Sequence, residues 1–432
     1  MRNWKRLAAL LLAMAMLLCL CACGEDKPTG GNEGGGTGDA DRDAKILAEP
    51  KEISFIVPGY DGTDEESPYY KAISELETKY GKKVTVMQAV GDQTWNQKVA
   101  AQVAAKDPID VFYVSISEYL NMYQKGYMKA VDEYIDLTQP WHQLSVMDDY
   151  VKFDGKYYAG HVTATAYVIY YNRDLLINNG YGADEPMDLY NAGEWTWEKF
   201  VEICRECTDE TAGIVGIENM FDEVFQASNM CRAVDFVDGK YKLNIRSAEM
   251  RKTLEMVQDI FYTNKICGVG YVTGQNKFLK GKSVFHGAYA YEEATFAGLK
   301  QSGVVSLDFG VAPFPVGPNN PDKKNFGHST GFAMASGTDA PYTAGMLIDL
   351  IGKYQHEKES EAKELLQEGS KELYETLAKD LYIPSYTDGV LEQGFGAFYL
   401  LYYIRQGDDI NKVIGEYETI YQKMIDDAND LL

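Results

Sequence analysis

One pentapeptide of this chain has the spacing of a nucleophilic serine site. Gly, His, Ser, Thr and Gly occupy positions 327–331, which matches the G-x-S-x-G pattern of serine esterases. That chemistry needs an apolar strand before the serine, a helix after it, and a later histidine as general base. Residues 322–325 are polar, 332–334 predict a strand, and the only later histidine, His356, stands in a charged helical stretch. The sequence therefore argues against serine hydrolysis.

Two cysteines stand at the C-x-x-C spacing that metal and redox sites use. Cys204 and Cys207 fall on the same side of a predicted helix as Trp197, Phe200 and Val201. The apolar neighbours favour buried structural thiols, because a zinc site would need a second cysteine pair at ribbon spacing. The sequence predicts no metal and no cofactor.

Acidic residues dominate the charge of the chain. There are 65 Asp and Glu against 41 Lys and Arg, a formal net charge of −24. Phosphate backbones need clustered basic residues, so the acidic excess excludes nucleic acid as a partner and favours a soluble monomer. The carboxylates could hold the acid pair of a glycosidase, but no spacing selects two of them. A surface-anchored glycan hydrolase therefore stays open as an alternative function.

The first residues of the chain indicate export and lipid attachment. Basic residues precede an apolar run over 7–18, which is too short to span a bilayer and is typical of a secretion signal. Leu20 and Ala22 stand three and one residues before Cys23, an arrangement that resembles the lipobox of bacterial lipoproteins. The prediction is a signal peptide over 1–22 and a lipidated Cys23 at the mature N-terminus, with an ordinary secretion signal as the alternative.

A flexible tether is predicted to follow the signal. Residues 23–50 are rich in Gly and Asp, and a coil of this composition would hold the folded body away from the lipid headgroups. Order is expected to begin near Lys51.

Alternating apolar runs predict an α/β fold. Strands are predicted over 53–57, 84–90 and 109–114, with one helix begun by Ser67 and Pro68 and another by Thr94. This order indicates an open parallel sheet with crossover helices, in which ligands lie at the carboxyl ends of the strands. Those ends are 59–62, 91–95 and 115–117.

The alternation continues after a hairpin predicted at Asp154-Gly155. The later predictions are strands over 166–171, 284–290, 309–313 and 331–335, and helices over 196–207, 247–263 and within 390–432. A single core stops growing near ~250 to 300 residues, so a chain of this length predicts two lobes.

An ordered set of motifs carries a family resemblance. The pieces are Asp-Val-Phe-Tyr-Val at 110–114, Asp-Gly-Lys-Tyr-Tyr-Ala at 154–159, Tyr-Asn-Arg-Asp-Leu-Leu at 171–176, Trp-Thr-Trp-Glu-Lys-Phe at 195–200, Phe-Leu-Lys-Gly-Lys at 278–282, Phe-Gly-Val-Ala-Pro-Phe-Pro at 309–315 and Ile-Pro-Ser at 383–385. With the lipobox, they resemble the extracellular solute-binding proteins of bacterial ABC importers, in the branch of maltose-binding protein and other sugar-binding lipoproteins.

The resemblance implies a fold and a function. The fold would be the two-lobed periplasmic-binding-protein-like fold of type II, each lobe an open, mostly parallel sheet flanked by helices, joined by a hinge. Lobe 1 would comprise 51–160 and 329–380, and lobe 2 would comprise 161–328 and 381–432. The protein would be exported and anchored to the outer face of the cell membrane.

The function implied is capture without catalysis. The protein would hold a small solute, most simply an oligosaccharide, in the cleft between the lobes and deliver it to the permease subunits of an ABC transporter. A binding protein for peptides or other small organic solutes is the alternative within this family.

Sugar sites pair aromatic rings with polar side chains, and the resemblance suggests where they lie. Tyr289 and Tyr291 follow a strand of lobe 2 where the family carries cleft aromatics; alternatively both pack inward from one strand face. Ser115 and Ser117 match a loop that carries polar sugar contacts in relatives. Trp95 follows a strand and opens a helix, where it either reaches the cleft or staples the helix.

Five further residues complete the predicted ligand site. Tyr60 and Asp61 leave the first strand, and Asp61 could instead be the carboxylate of a local turn. Thr165 approaches the predicted hinge crossing. Phe326 and His328 precede the return strand near the second crossing, where His328 could alternatively be a structural histidine.

Overall fold

The apolar runs of the sequence form the strands of two main sheets. The computed structural model describes residues 36–89, 99, 109–142, 144–221, 223–267, 277–391 and 397–432. Its strands are β1 (Glu52–Pro58), β2 (Lys83–Ala89), β3 (Val111–Ser115), β4 (Met128–Lys129), β5 (Lys152–Phe153), β6 (Lys156–Tyr157), β7 (Thr165–Asn172), β8 (Val215–Glu218), β9 (Val234–Val237), β10 (Lys240–Leu243), β11 (Ser283–Tyr289), β12 (Phe309–Pro313), β13 (Asn325–His328), β14 (Thr330–Ala335) and β15 (Leu381–Tyr382).

Helices separate most of these strands. They are α1 (Gly36–Ala48), α2 (Pro68–Tyr80), α3 (Ile116–Gln124), α4 (Leu144–Val151), α5 (Arg173–Asn178), α6 (Glu185–Ala192), α7 (Trp197–Cys207), α8 (Glu223–Ser228), α9 (Ala248–Gln258), α10 (Glu292–Gln301), α11 (Pro341–Lys363), α12 (Ser370–Ala378), α13 (Ser385–Asp388), α14 (Phe398–Arg405) and α15 (Ile410–Asn429), with a π-helical turn at Asp259–Thr263.

The first sheet has the order β2-β1-β3-β14-β4. β1 runs parallel to β2 and β3, as the sequence predicted, whereas β14 returns from later in the chain and pairs antiparallel with β3 and β4. Helices α2 and α11 pack against each other beside this sheet. Of the predicted helix opened by Thr94, only Val99 is among the described residues, and its side chain is fully buried.

The second sheet has the order β15-β13-β7-β11-β8, and β12 also pairs with β7. Strand β7 runs antiparallel to β11, β12 and β13, so this sheet is mixed and not mostly parallel as predicted. The sequence of β7 did not indicate the direction of the strand, because a strand buried on both faces has the same apolar pattern in either orientation.

One helix packs in a different lobe from the one predicted by the boundary at residue 380. Helix α12 (Ser370–Ala378) fell within the range predicted for lobe 1, but it packs against β7 and β13 of the second sheet. Leu377 is buried in a cluster with Val168 of β7 and Leu381 of β15. The second sheet therefore gains the helix that directly precedes β15.

Residues 36–48 form a helix where the sequence predicted a flexible tether over 23–50, so the prediction is wrong for that part, while residues 23–35 lie outside the described residues. Helix α1 covers Gly36–Ala48, and Ile46 is fully buried in the core beside the first sheet. Glu49 accepts hydrogen bonds from the backbone N–H groups of Tyr342 (2.9 Å) and Thr343 (2.7 Å). Those groups belong to the first turn of α11, whose N-terminal N–H groups have no partner within the helix. Glu49 thus caps α11 from a distant segment.

Several predicted element ends are confirmed by their capping contacts. The Ser67 side chain accepts from the Tyr69 N–H, and Gly81 ends α2 in the left-handed region with φ 65°. Thr196 caps α7 and Ser247 caps α9 in the same manner. The Asp154-Gly155 turn joins β5 to β6 as predicted, with φ 49° and 78°.

Across the described residues, no helix combines the length and apolar character needed to cross a bilayer. The two thiols of the C-x-x-C motif are both buried, which confirms the structural reading. Burial raises the pKa of Cys204 and of Cys207 above the usual thiol value, so both are held as thiols and not as thiolates.

Candidate functional site

Strand register places several predicted ligand residues on one face of the second sheet. Opposed residues of an antiparallel pair point to the same face, and so do residues two apart on one strand. His328 of β13 lies opposite Thr165 of β7, and Tyr289 of β11 lies opposite Tyr167 of β7. Phe326 stands two residues before His328. These five side chains therefore share one face.

An aromatic shelf forms at the end of β11, composed of Phe221, Tyr289, Tyr291, Phe326 and His328. The Tyr289 ring centroid lies 5.7 Å from that of Tyr291, with the planes inclined by 22°. It lies 5.9 Å from His328, 6.0 Å from Phe221 and 6.5 Å from Phe326. Tyr291 is 63% exposed, so the shelf offers an open ring face beside a half-buried one.

Tyr167 supports the shelf from the neighbouring strand β7. Its ring is fully buried and meets the Tyr289 ring edge-on at 5.4 Å, and its hydroxyl donates to the Asn219 carbonyl oxygen at 2.7 Å. A Cβ on residue 287 would lie 2.5 Å from the Tyr167 hydroxyl, so Gly287 leaves the room that this ring needs. Burial raises the pKa of Tyr167 well above 10.0, which keeps the hydroxyl a donor.

His328 is the imidazole-bearing member of the shelf. Burial lowers its pKa to about 4, so the imidazole is neutral at neutral pH. A neutral imidazole has one N–H donor and one acceptor nitrogen, which suits a ligand hydroxyl that can both donate and accept.

A row of four hydroxyls runs from the first sheet to the strands that join the two sheets. Thr163 Oγ1 lies 3.0 Å from Thr330 Oγ1, and Ser115 Oγ lies 3.0 Å from Ser117 Oγ. Thr330 of β14 stands directly opposite Ser115 of β3. We call Thr163, Thr330, Ser115 and Ser117 the hydroxyl row; all four are half-buried.

The hydroxyl row continues into the aromatic shelf. Thr330 stands two residues after His328, and Thr163 two residues before Thr165, so along extended backbone each pair points to the same face. Ser329, between them, is fully buried on the opposite face. Aromatic faces and hydroxyls therefore line one continuous surface where the chain passes between the sheets.

Sequence reasoning missed three of these residues. Thr163 and Thr330 follow the same period-two pattern as Thr165 and His328, which could have revealed them once the two strands were paired. Phe221 gave no local signal, because only the fold brings it beside Tyr289.

Tyr60 and Asp61 have local partners in the structure. Tyr60 is only 6% exposed and packs on Tyr69 at 5.2 Å. The Asp61 carboxylate accepts from the Thr63 N–H at 3.0 Å and from its hydroxyl at 2.6 Å, and these bonds lower the pKa of Asp61. The turn geometry foreseen as the alternative for Asp61 is therefore present. Trp95 and Cys23 lie outside the described residues.

The G-x-S-x-G stretch does not form a nucleophile elbow. Ser329 lies between β13 and β14, so a strand follows it where an elbow has a helix. Its hydroxyl is buried and finds no hydrogen-bond partner within the part of the chain that the structure describes. The serine is therefore closed to a substrate in this arrangement.

Two sheet-containing α/β bodies, with aromatic rings and hydroxyls along the surface that links them, define a ligand-binding protein of the two-lobed type. The family model of the bacterial extracellular solute-binding proteins matches residues 61–352. The chain belongs to this family.

Solved structures with the same fold agree with this assignment. An ABC substrate-binding protein, Lmo0181 from Listeria monocytogenes, solved with cycloalternan, is 14% identical with a TM-score of 0.65, covering 86% of this chain and 98% of its own. The galacto-N-biose-/lacto-N-biose I-binding protein from Bifidobacterium longum, with lacto-N-biose, is 13% identical with a TM-score of 0.65, covering 88% and 98%. UgpB from Mycobacterium tuberculosis, with glycerophosphocholine, is 16% identical with a TM-score of 0.65, covering 87% and 99%.

Proposed function

We propose that this protein captures a carbohydrate, most simply an oligosaccharide, between its two lobes and passes it unaltered to the permease subunits of an ABC transporter. The observation that carries the proposal is the aromatic shelf continued by the hydroxyl row. Stacked rings favour the C–H face of a sugar ring, contributing about 0.5 to 1.5 kcal/mol each beyond burial. Neutral hydroxyls exchange hydrogen bonds with sugar hydroxyls. The similar proteins solved with cycloalternan and lacto-N-biose support a sugar ligand.

Closure of the lobes supplies the signal for delivery. The shelf lies at the second sheet, whereas Ser115 ends β3 of the first sheet and Ser117 lies in the first turn of α3, so a ligand that contacts both sides is held best when the lobes approach. A ligand shifts a conformational equilibrium only by its differential affinity for the two states. The closed, loaded form is then the one that the permease recognises. We assign lobe 1 to 51–160 and 329–380 and lobe 2 to 161–328 and 381–432, except that Ser370–Ala378 is placed in lobe 2 because it packs against the second sheet.

Anchoring at Cys23 keeps the binding protein beside its transporter. The support is the spacing of Leu20 and Ala22 before Cys23 together with the apolar run over 7–18. Stable anchoring takes two or more acyl chains, at ~0.8 kcal/mol per buried methylene. The protein works as a monomer on the outer face of the membrane, its acidic charge preventing self-association.

A ligand screen by thermal shift tests the proposal. A bound sugar at 100 times its dissociation constant adds ~2.7 kcal/mol to the free energy of unfolding. Tyr289→Ala should abolish the shift, whereas Tyr399→Ala, which removes a 44% exposed ring from α14, should leave it unchanged. A thermal shift produced by peptides and not by sugars would show that the ligand is a peptide. Conversion of the sugar to products would show that the protein is a glycan hydrolase.

A further inference from the structure

His286 lies behind the aromatic shelf, buried between two carboxylates. It is only 3% exposed and sits on β11, on the face opposite to Tyr289. Its Nδ1 lies 3.3 Å from Glu218 Oε1, and its Nε2 lies 3.4 Å from Glu292 Oε2. Both ring nitrogens therefore face a carboxylate oxygen.

The chemistry of these contacts selects one protonation state. A neutral imidazole has a single N–H, while an ionised carboxylate only accepts, so one nitrogen lone pair would face an oxygen lone pair. The imidazolium donates from both nitrogens and satisfies both contacts. Asn219 Nδ2 also lies 3.5 Å from Nε2, but its shorter bond is to the Gly287 carbonyl oxygen at 2.9 Å. Burial lowers the pKa of His286, yet the bonds and charges of Glu218 and Glu292 outweigh it, so the pKa lies above its ordinary 6.5.

The two carboxylates connect His286 to the shelf. Glu292 directly follows Tyr291 and begins α10. Glu218 also accepts from the backbone N–H groups of Lys277 (2.8 Å) and Phe278 (2.6 Å). The backbone carbonyl oxygen of Asn219, the residue after Glu218, accepts from the hydroxyl of Tyr167, whose ring packs beside Tyr289. One imidazolium thus links the turn that carries Tyr291 to the end of β8. The residue that follows β8, Asn219, holds the Tyr167 hydroxyl.

We propose that His286, in its imidazolium form, is a positioning residue for the aromatic shelf, and that ligand affinity falls when the imidazolium loses its proton. The inference rests on the proposed function, because ligand affinity is its main readout. The contact is complete below pH 6.5 and is lost as the pH rises through the raised pKa of the folded state.

Groups from three neighbouring elements face His286. Glu218 faces it from β8 and Glu292 from α10, and both act as the anionic partners. Tyr170 faces it from β7 at 6.3 Å between ring centroids, and burial raises the pKa of this tyrosine well above 10.0, so it stays neutral. The rings of Phe278 and Phe296 complete the surroundings at 5.4 Å each.

A pH series of sugar titrations tests the inference in the full-length exported protein. From about pH 6 to about pH 9, the parent protein should bind the sugar found in the screen about tenfold more weakly at the alkaline end. His286→Gln and Glu292→Gln should bind weakly at every pH with the slope lost. Glu372→Gln, at an exposed carboxylate in the first turn of α12, should keep the parent slope. An unchanged parent affinity, or an equal slope in His286→Gln, would overturn the inference.

A ligand-free measurement separates this inference from the proposed function. An NMR titration should show the His286 imidazole losing its proton above pH 6.5 and the Tyr291 ring resonances shifting with the same midpoint. If no sugar binds while both resonances move together, the proposed function fails and the positioning role stands. If His286 titrates at or below pH 6.5, or Tyr291 does not respond, the positioning role is wrong whatever binds.

Discussion

Thr163 and Thr330 hold together the two strands that pass between the lobes. Their hydroxyl oxygens lie 3.0 Å apart, and the Thr163 N–H donates to the Thr330 carbonyl oxygen at 2.8 Å. Gly160 is bridged to Phe332 just beyond them. The crossing is thus a short antiparallel ribbon that carries Thr163 and Thr330, two of the four half-buried side chains of the hydroxyl row, so residues that connect the lobes also belong to the proposed ligand site.

Removing one hydroxyl of this row should weaken binding without unfolding the protein. Thr330→Val keeps the side-chain shape and the backbone bonds but removes the hydroxyl. We expect a loss of about 1 kcal/mol in sugar affinity, roughly fivefold, measured by isothermal titration. Ser329→Ala is the matched control, because its buried hydroxyl has no hydrogen-bond partner among the described residues. Equal sugar affinities for the two variants would show that the hydroxyl row is not part of the ligand site.

The exposed ring of Tyr291 should contribute through its face and not through its hydroxyl. Tyr291→Phe keeps the ring 5.7 Å from Tyr289 and should bind within about twofold of the parent, whereas Tyr291→Ala should lose about 0.5 to 1.5 kcal/mol. Fluorescence titration with the best sugar of the screen measures both. A large loss in the Phe variant would show that the hydroxyl, and not stacking, carries the contact.

Acid should destabilise the protein through His328. Its folded-state pKa is about 4 against an ordinary 6.5, so between these values the unfolded chain takes up a proton that the folded chain does not. The free energy of unfolding should therefore fall as the pH drops through this window, by up to about 3 kcal/mol. Chemical denaturation of His328→Gln should lack this part of the acid dependence. A variant as acid-sensitive as the parent would assign the effect to other groups.

Glu49 should stabilise the folded body by capping α11. Glu49→Gln leaves one amide oxygen for three donors, the N–H groups of Tyr342 and Thr343 and the Thr343 hydroxyl at 2.6 Å. We expect the free energy of unfolding to fall by about 1 kcal/mol. Glu52→Gln, which removes one partner of an exposed ion pair with Lys83, should change it by less than about 0.5 kcal/mol. Similar changes in the free energy of unfolding for the two variants would show that residues 45–50 act only as a tether.

Local sequence patterns predicted most helices and strands of the fold. The features that they did not predict depend on contacts between segments far apart in the chain. Ser67, Pro68 and Gly81 bounded α2 because caps and turns depend on neighbouring residues alone. The direction of β7 and the place of α12 depend on partners far along the chain. The same division applies to the site: Tyr289, Tyr291 and His328 stood at strand ends and were predicted, but Thr163 and Phe221 became site candidates only through three-dimensional neighbours.

The N-terminal segment shows the limit of composition as a guide. Residues 23–50 contain many Gly and Asp, which predicted a coil throughout. One apolar side chain, Ile46, and one carboxylate, Glu49, dock the end of this segment onto the first sheet and α11. A few long-range contacts therefore override the average polarity of the segment.

The most direct test of a two-lobed capture protein is a sugar titration in which the state of the protein and the fate of the ligand are both recorded. Small-angle scattering should show the protein becoming more compact as the ligand saturates a single site, and mass spectrometry should recover the sugar intact. Tyr289→Ala should show neither binding nor compaction. Saturation without compaction, or a cleaved sugar in the recovered sample, would contradict the account.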